Sequence, residues 1–577
     1  MTRRGRIASY LALAVVALCL PAAASAHAYL VKTFPAASVI LTSPPADVAL
    51  TFDEAVEPRF AIIEVFDASA HNETTGAVAR SPANPDTLTV PLRHVPEGWY
   101  LVYWRAISVD GHPVQGYFTF AVGPNEGPEP QFTPPHISQS ATTTPLLIAR
   151  WAMFLTVMTA VGLFVFRLLI ARPLVRRVRE TELRSVSIAF FVACGLGLLA
   201  IPAYLEEATA VDSLRSFFAF GALVPLWRTT AFGRGYLDLW ICFALFVFAA
   251  GVAIWVDHPE RPHRSLASIF AAAGALAAAA ALLAIPGASG HAAQTAPRPV
   301  ALTLDWLHMI SGSIWIGGLL GLLVLWRSLP VARRVAGLVV SVPRFSNTAF
   351  VSVMVLLGTG IWASVLHLPV LAALWETSYG KVILIKAGLL ALAMLLAAVN
   401  LLRTKPRLVA ARTRAELGEP AARLLRRLVA GEAAILAGAI FAAATLSSLA
   451  PPPPAFAEEG KALAQVGPGK VAATVSQEGY RFQLVITPNN AAAPNSFELV
   501  LTKGGKPVTG ANVTLTFAML DMEMPNQEYQ LTETKPGVYA RPNSSALVMV
   551  GHWGLSFNVA PKGVQPFTVL IEDHAAG

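Results

Sequence analysis

"LTLDWLHMISGSIWIGGLLGLLVLW" (residues 302–326) decides the class of this chain. Crossing a bilayer takes about 20 apolar residues, and this run is long enough. Its only ionisable side chains are Asp305 and His308. Such groups are costly inside a membrane helix, so each is a candidate for function. Asp305 precedes His308 by three residues and shares its helix face. Met309 is turned away by more than a quarter turn. His308 sits about eight residues into a span read as 300–326, roughly 12 Å below its end.

Working outward, seven more runs qualify as spans: 146–170, 186–207, 235–256, 265–287, 345–367, 380–402 and 425–449. Residues 211–234 are apolar but broken by Arg215, Pro225 and Arg228, which predicts an interfacial segment. The whole chain is 55% hydrophobic and 14% charged, against roughly 25% charge in soluble domains. The excess is confined to the middle. Residues 27–135 and 455–577 have ordinary composition.

The N-terminus reads as a secretory signal over 1–26. Arg3, Arg4 and Arg6 precede a short apolar core, and Ala24-Ser25-Ala26 is a small-residue cleavage site. Cleavage there makes His27 the first residue of the mature chain. With that end outside, eight spans return the C-terminus outside. Arginine and lysine side chains crowd the loops this topology places inside, such as 403–427, and are sparse in the others. The expected location is therefore the inner membrane of a bacterial cell, multi-pass, with both soluble domains on the periplasmic side. The net charge of +8 lies mostly in these short loops, so nucleic acid is not an expected partner. Of the three cysteines, Cys19 leaves with the signal, and Cys194 and Cys242 lie in apolar runs. No disulfide framework or zinc ribbon is available. No nucleotide-binding loop or phosphorylated-aspartate pump motif occurs, which argues against ATP-driven transport; a transporter, not an enzyme, is the expectation.

Residues 47–122 alternate in short runs such as "VALTF", "AIIEVF" and "GYFTFAV", predicting a β-sandwich. The turn "SVDGHPVQG" (108–116) carries Asp110 and His112, two apart and therefore on one side of an extended chain. A processed His27 offers an amine and an imidazole, the nitrogen-rich set that Cu(II) favours. Taken alone, the turn is an ordinary Asp-Gly turn. His71, His94 and His136 have no matching partner and read as surface residues. Residues 470–574 again read as strands, and "MLDMEMP" with "MVGHWG" gathers Met519, Met522, Met524, Met549 and His552. Thioethers select Cu(I), although methionines also fill gaps in cores.

"HAYLVKTFPAAS", "LTFDEAVEP" and "YLVYWRAISVDGHPVQGYFTF" resemble the periplasmic copper-binding protein family CopC across 27–122. The resemblance implies an immunoglobulin/cupredoxin-like sandwich with Cu(II) on His27, Asp110 and His112. Some family members carry a methionine-rich Cu(I) site, which this domain, lacking methionine, does not. Residues 146–450, above all "DWLHMISGSIWIGGL", resemble the membrane family CopD, its usual companion. That family implies copper movement across the inner membrane and a tentative path through His291, Asp305, His308 and His367. Residues 470–577 resemble the YtkA-like domain, with an immunoglobulin-like sandwich. The expected chain is thus a signal (1–26), a CopC-like sandwich (27–122), a linker (123–145), an eight-span all-α membrane domain (146–450), a proline-rich linker (451–469) and a YtkA-like sandwich (470–577). Copper is the expected cargo, and periplasmic copper chaperones are possible partners. Two other readings use the same residues. One is a histidine-brace copper oxygenase, whose open coordination position Asp110 would close. The other is a haem-binding redox protein with axial ligands among His291, His308 and His367. Two further ionisable groups in the spans stand out: Lys386, able to pair with Asp305, and Glu432, alone in the inner half of span eight.

Overall fold

A computed structural model describes residues 30–36, 39–52, 56, 58–107, 113–124, 143–178, 181–212, 231–260, 263–288, 292, 297–449, 451–452, 462–491, 495–520, 527–544, 546–547, 551–561 and 567–576. Its contacts divide the chain into a helical unit and a β unit.

Eight helices are long and apolar enough to cross a membrane. They are α1 (Thr144–Phe166), α2 (Arg184–Asp212), α3 (Ala231–Trp255), α4 (Leu266–Ala288), α5 (Arg298–Ser328), α6 (Val331–His367), α7 (Ser378–Val399) and α8 (Gly418–Leu446). All eight expected spans are present. The largest departure is α6, which starts at Val331 instead of 345 and keeps Pro343 inside the helix. Most of the interrupted segment 211–234 lies outside the described residues.

The centre of the bundle is the pair α1 and α5, the most buried spans, while α7 is the most exposed. They approach closely because both carry glycine at the crossing. A Cβ on Gly162 would land on the Ser313 carbonyl, and one on Gly317 would land on the Gly162 backbone. Trp315, Leu319, Leu322 and Leu325 of α5 pack with Phe345 of α6 and Leu425 and Val429 of α8 into one core. Two π-helical turns interrupt the spans, at Arg167–Ala171 after α1 and Asn400–Thr404 after α7. Such single-turn bulges gather at functional or packed polar sites.

The N-terminal β domain has two four-stranded sheets. One runs β1 (Leu30–Phe34), β3 (Asp47–Phe52), β6 (Thr87–Pro91), β5 (Ala79–Arg80); the other runs β2 (Ile40–Leu41), β8 (Pro113–Val122), β7 (Gly98–Ile107), β4 (Ile62–Asp67). Alternating residues Val48, Leu50, Phe52 and Tyr100, Val102, Trp104 fill the space between them.

The C-terminal domain is also a sandwich, but one made from a single ten-stranded sheet. Its order is β10 (Val471–Gln477), β11 (Tyr480–Thr487), β12 (Asn495–Lys503), β16 (Val538–Ser544), β15 (Gln527–Lys535), β14 (Asn512–Met519), β17 (Gly551–Ala560), β18 (Phe567–Ala575), β9 (Gln465–Val466), with β13 (Lys506–Pro507) on β12. β15 pairs with β16 on one side and β14 on the other, so the sheet folds over at that strand. A register shift between Glu533 and Lys535 marks the bend. One core, with Phe482, Leu499, Phe517, Tyr539, Trp553 and Phe557, fills the interior.

Candidate metal sites

In the first domain His27, Asp110 and His112 lie outside the described residues, but the framework that carries them is described. β7 and β8 pair antiparallel, and the pairing ends with Ile107 opposite Pro113. Leu30, three residues after His27, pairs with Phe52 at the end of β3. The Phe52 ring meets Trp104 edge-on at 5.5 Å, and Trp104 is three residues before Ile107. The start of β1 and the facing ends of β7 and β8 therefore lie at the same end of the sandwich. Trp104 in turn lies flat against its cross-strand partner Gly116, where a Cβ would come within 2.9 Å of the indole. Of the remaining histidines, His71 is exposed and bonds Asp67 at 3.2 Å, and His94 is exposed.

In the helical unit the side chains of α5, α6 and α7 converge on His308. Its Nδ1 lies 3.0 Å from Thr359 Oγ1, and Lys386 Nζ lies 3.5 Å from its Nε2. The Thr359 hydroxyl donates to the Val355 carbonyl at 2.8 Å, which leaves its oxygen to accept from His308. The imidazole therefore carries its proton on Nδ1 and turns the Nε2 lone pair toward Lys386. Asp305, one turn back, rests against the backbone of Gly287 in α4, where only glycine fits beneath the carboxylate. The Asp305 and Lys386 charges are close enough to interact, yet no direct ion pair joins them among the described residues. His308 is thus packed inside the bundle, as a costly polar group in a membrane must be.

The three-histidine cluster expected from the sequence does not form around His308. His367 is eight residues beyond Thr359, about 12 Å further along α6. Its Nδ1 bonds the Ala363 carbonyl at 2.7 Å, and its ring lies beside Tyr379. His291 is outside the described residues.

Sequence reading missed the neighbouring polar layer. Arg150 of α1 donates from Nε to the Tyr204 hydroxyl at 3.1 Å, bonds Ser447 at 3.3 Å and also reaches Ser448. The Tyr204 ring meets Tyr236 at 4.9 Å. The signal was present, since Arg150 falls inside the first apolar run. At the opposite end of the bundle, Asp257 accepts from Arg167 Nη1 at 2.9 Å and from Arg172 Nε at 2.7 Å, all three buried. Glu432 is not isolated either: the buried Trp315 indole donates to it at 2.7 Å, and Asn400 of the second π-turn also bonds it.

In the last domain Met519 and His552 do not come together, which corrects their grouping. Met519 pairs in register with Trp553 and shares its core-facing side. His552, the preceding residue in β17, points to the other face. Met522, Met524 and Met549 lie outside the described residues.

Comparison with known proteins gives three family matches along the chain: CopC domain at 30–123, Copper resistance protein D at 339–446, and YtkA-like at 474–557. The second match begins inside α6, so the α5 segment that holds His308 lies before it. Copper transport protein CutJ of Bacillus subtilis is 28% identical over 551 residues, 92% of this chain and 93% of that one. Protein YobA of Escherichia coli is 36% identical over 98 residues, 17% of this chain and 79% of that one. The crystal structure of CopC from Methylosinus trichosporium OB3b shares 30% identity, covering 18% of this chain and 99% of that one, with a TM-score of 0.17.

Proposed function

The chain belongs to the family in which CopC, CopD and YtkA-like domains share one polypeptide, and from that premise we propose that it captures copper at the outer face of the inner membrane and moves it across. The β domains face the periplasm in this reading, in keeping with the arginine-rich loops that the eight-span topology puts inside. His27, with its amine, Asp110 and His112 hold Cu(II). The single observation that carries the membrane step is the convergence of His308, Thr359 and Lys386, with Asp305 one turn away, inside the bundle.

Each group there has a distinct task. Thr359 fixes the tautomer that presents Nε2. Lys386 supplies an ammonium at the place where a copper ion would bind that nitrogen. An arriving copper ion displaces the ammonium, and Asp305 compensates the change in charge. Lys386 thus keeps the site electrically filled between ions. His291 and His367 belong to the approach rather than to the coordination of His308's ion.

The test has two arms. Cells with and without the gene are assayed for total copper under limiting and excess copper. Loss of the gene changes accumulation in the proposed function and leaves it unchanged otherwise. Separately, one residue is added before His27 in the mature chain. Cu(II) binding, followed by quenching of Trp104-region fluorescence, weakens severely if the amine is a ligand. Equal affinity would remove that site from the reading.

A further inference from the structure

Helices α5, α6, α7 and α8 leave between them a cavity of about 220 Å³, several times the roughly 30 Å³ share of one water in the liquid. Its wall includes Trp315 of α5, Phe345 and Val353 of α6, Met394 of α7, Asn400 of the second π-turn and Glu432 of α8. Most of the lining is apolar, but three of its polar groups are bonded to one another. The Trp315 indole donates to Glu432 at 2.7 Å, and Asn400 bonds the same carboxyl. An amide reaches a carboxylate through its nitrogen, which leaves Asn400 Oδ1 as a spare acceptor. That oxygen is buried without a partner, on a residue only 9% exposed. An acceptor left empty at such depth is costly, and a ligand with a hydrogen-bond donor would relieve it.

The way in narrows the class of ligand. Phe350, Met354 and Leu401 also line the cavity, yet they are exposed on the outer surface of α6 and of the turn after α7. On spanning helices that surface meets acyl chains, so the mouth opens sideways into the bilayer. An ion entering there would shed its water in hydrocarbon, which is expensive; a lipid-soluble molecule would not. The walls favour a flat body. The Phe345 ring lies on Gly318, where any Cβ would collide with it, and the Trp315 indole is fixed by its bond to Glu432. Two fixed aromatic rings favour contact with a third.

We propose that this cavity binds a lipid-soluble hydroquinone. One hydroxyl donates to Asn400 Oδ1 beside Glu432, the ring lies against Phe345 and Trp315, and the apolar tail leaves past Phe350 and Met354. The oxidised quinone offers only acceptors and would set oxygen against oxygen, so the site selects the reduced form. The proposal concerns binding alone. It is independent of the copper reading, since it uses none of the residues around His308.

Full-length protein in detergent is titrated anaerobically with a short-chain hydroquinone, its quinone and its dimethyl ether, and binding is read by equilibrium dialysis against protein-free micelles. The hydroquinone binds about tenfold more tightly than the other two, the scale of one buried hydrogen bond. Asn400→Leu, which keeps the volume and removes the acceptor, abolishes that preference, and Val353→Trp, which fills the chamber, abolishes binding of all three. Equal affinity for the three molecules, a preference that survives in folded Asn400→Leu protein, or undiminished binding to folded Val353→Trp protein would each overturn the site. Should a variant fail to fold, the three ligands on the unaltered protein still decide. Diacylglycerol, which has a hydroxyl but no ring, competes poorly; full displacement by it would overturn the choice of a ring. Copper accumulation is not a readout, and loss of hydroquinone binding would leave the His308 reading intact.

Discussion

Asp257 meets Arg167 and Arg172 at 2.9 and 2.7 Å, whereas Lys386 stands 3.5 Å from His308 and makes no direct pair with Asp305. Both clusters lie in one bundle, at opposite ends of it, the first buried and the second half-buried. The first is closed: short charge-assisted bonds consume both carboxylate oxygens, and Arg167 turns its remaining Nε toward Ser187 at 3.1 Å. The second is loose, with a lone pair, an ammonium and a carboxylate that can be rearranged without leaving a bare charge. A closed cluster fixes structure. A loose one has room for cargo.

The sharpest way to break that contrast is to open the closed cluster. Asp257→Ala leaves two guanidinium groups buried without their anion, a loss of about 3–5 kcal/mol by precedent for broken buried pairs. The expected outcome is little inserted, folded protein, read by quantitative detection in membranes and thermal unfolding in detergent. His308→Ala comes next. Copper accumulation per inserted molecule falls to background while the melting temperature and Cu(II) binding by the first domain stay near those of the parent. Proportional loss of protein and transport would make His308 a structural residue like Asp257.

A third buried acid sharpens the comparison from the β unit. Asp573 is fully buried; one oxygen accepts from Asn489 Nδ2 at 2.8 Å and the other has no partner. Burial pushes its carboxyl up to about 6, only partly offset by the Asn489 bond. The folded domain therefore holds a proton that the unfolded chain releases near its ordinary value of about 3.9. Stability from this group is full below about 4 and is lost as pH rises through about 6, a fall of about 3 kcal/mol. Asp573→Asn should flatten that slope in unfolding followed from pH 4 to 8. An unchanged slope would show that the charge is relieved elsewhere. The smallest effect belongs to Lys386→Gln. Removing the ammonium from His308 Nε2 should tighten Cu(I) binding in detergent several-fold and slow its release. Weaker binding would mean that Lys386 orients the imidazole instead of competing for it.

Much of this architecture was legible because membrane spans need only length and apolarity, and every one of the eight met that test. The strands of both sandwiches were legible from alternation. The polar interior was not. Arg167 lies near the end of the first apolar run and Arg172 just beyond it, where it reads as a loop charge, while helix continuation through the π-turn carries both to Asp257. His308 was legible as buried, but its partners Thr359 and Lys386 depend on helix rotation, which apolar runs leave open. The error about His367 had a related cause. Reading depth from run ends put it level with His308, while α6 actually meets α5 two turns earlier.

The glycine crossing of α1 and α5 carries a mechanical consequence. With Gly162 and Ser313–Gly317 in backbone contact, the two helices cannot slide past one another without collision, but they can pivot there. His308 lies nine residues from Gly317, an arm of about 13 Å. A tilt of α5 by about 5° about that fulcrum swings the imidazole by roughly 1 Å on such an arm. That is the scale on which a 3.5 Å contact with Lys386 becomes either a firm bond or a gap. The tightest joint in the bundle is thus also what allows its loosest contact to be moved with little effort.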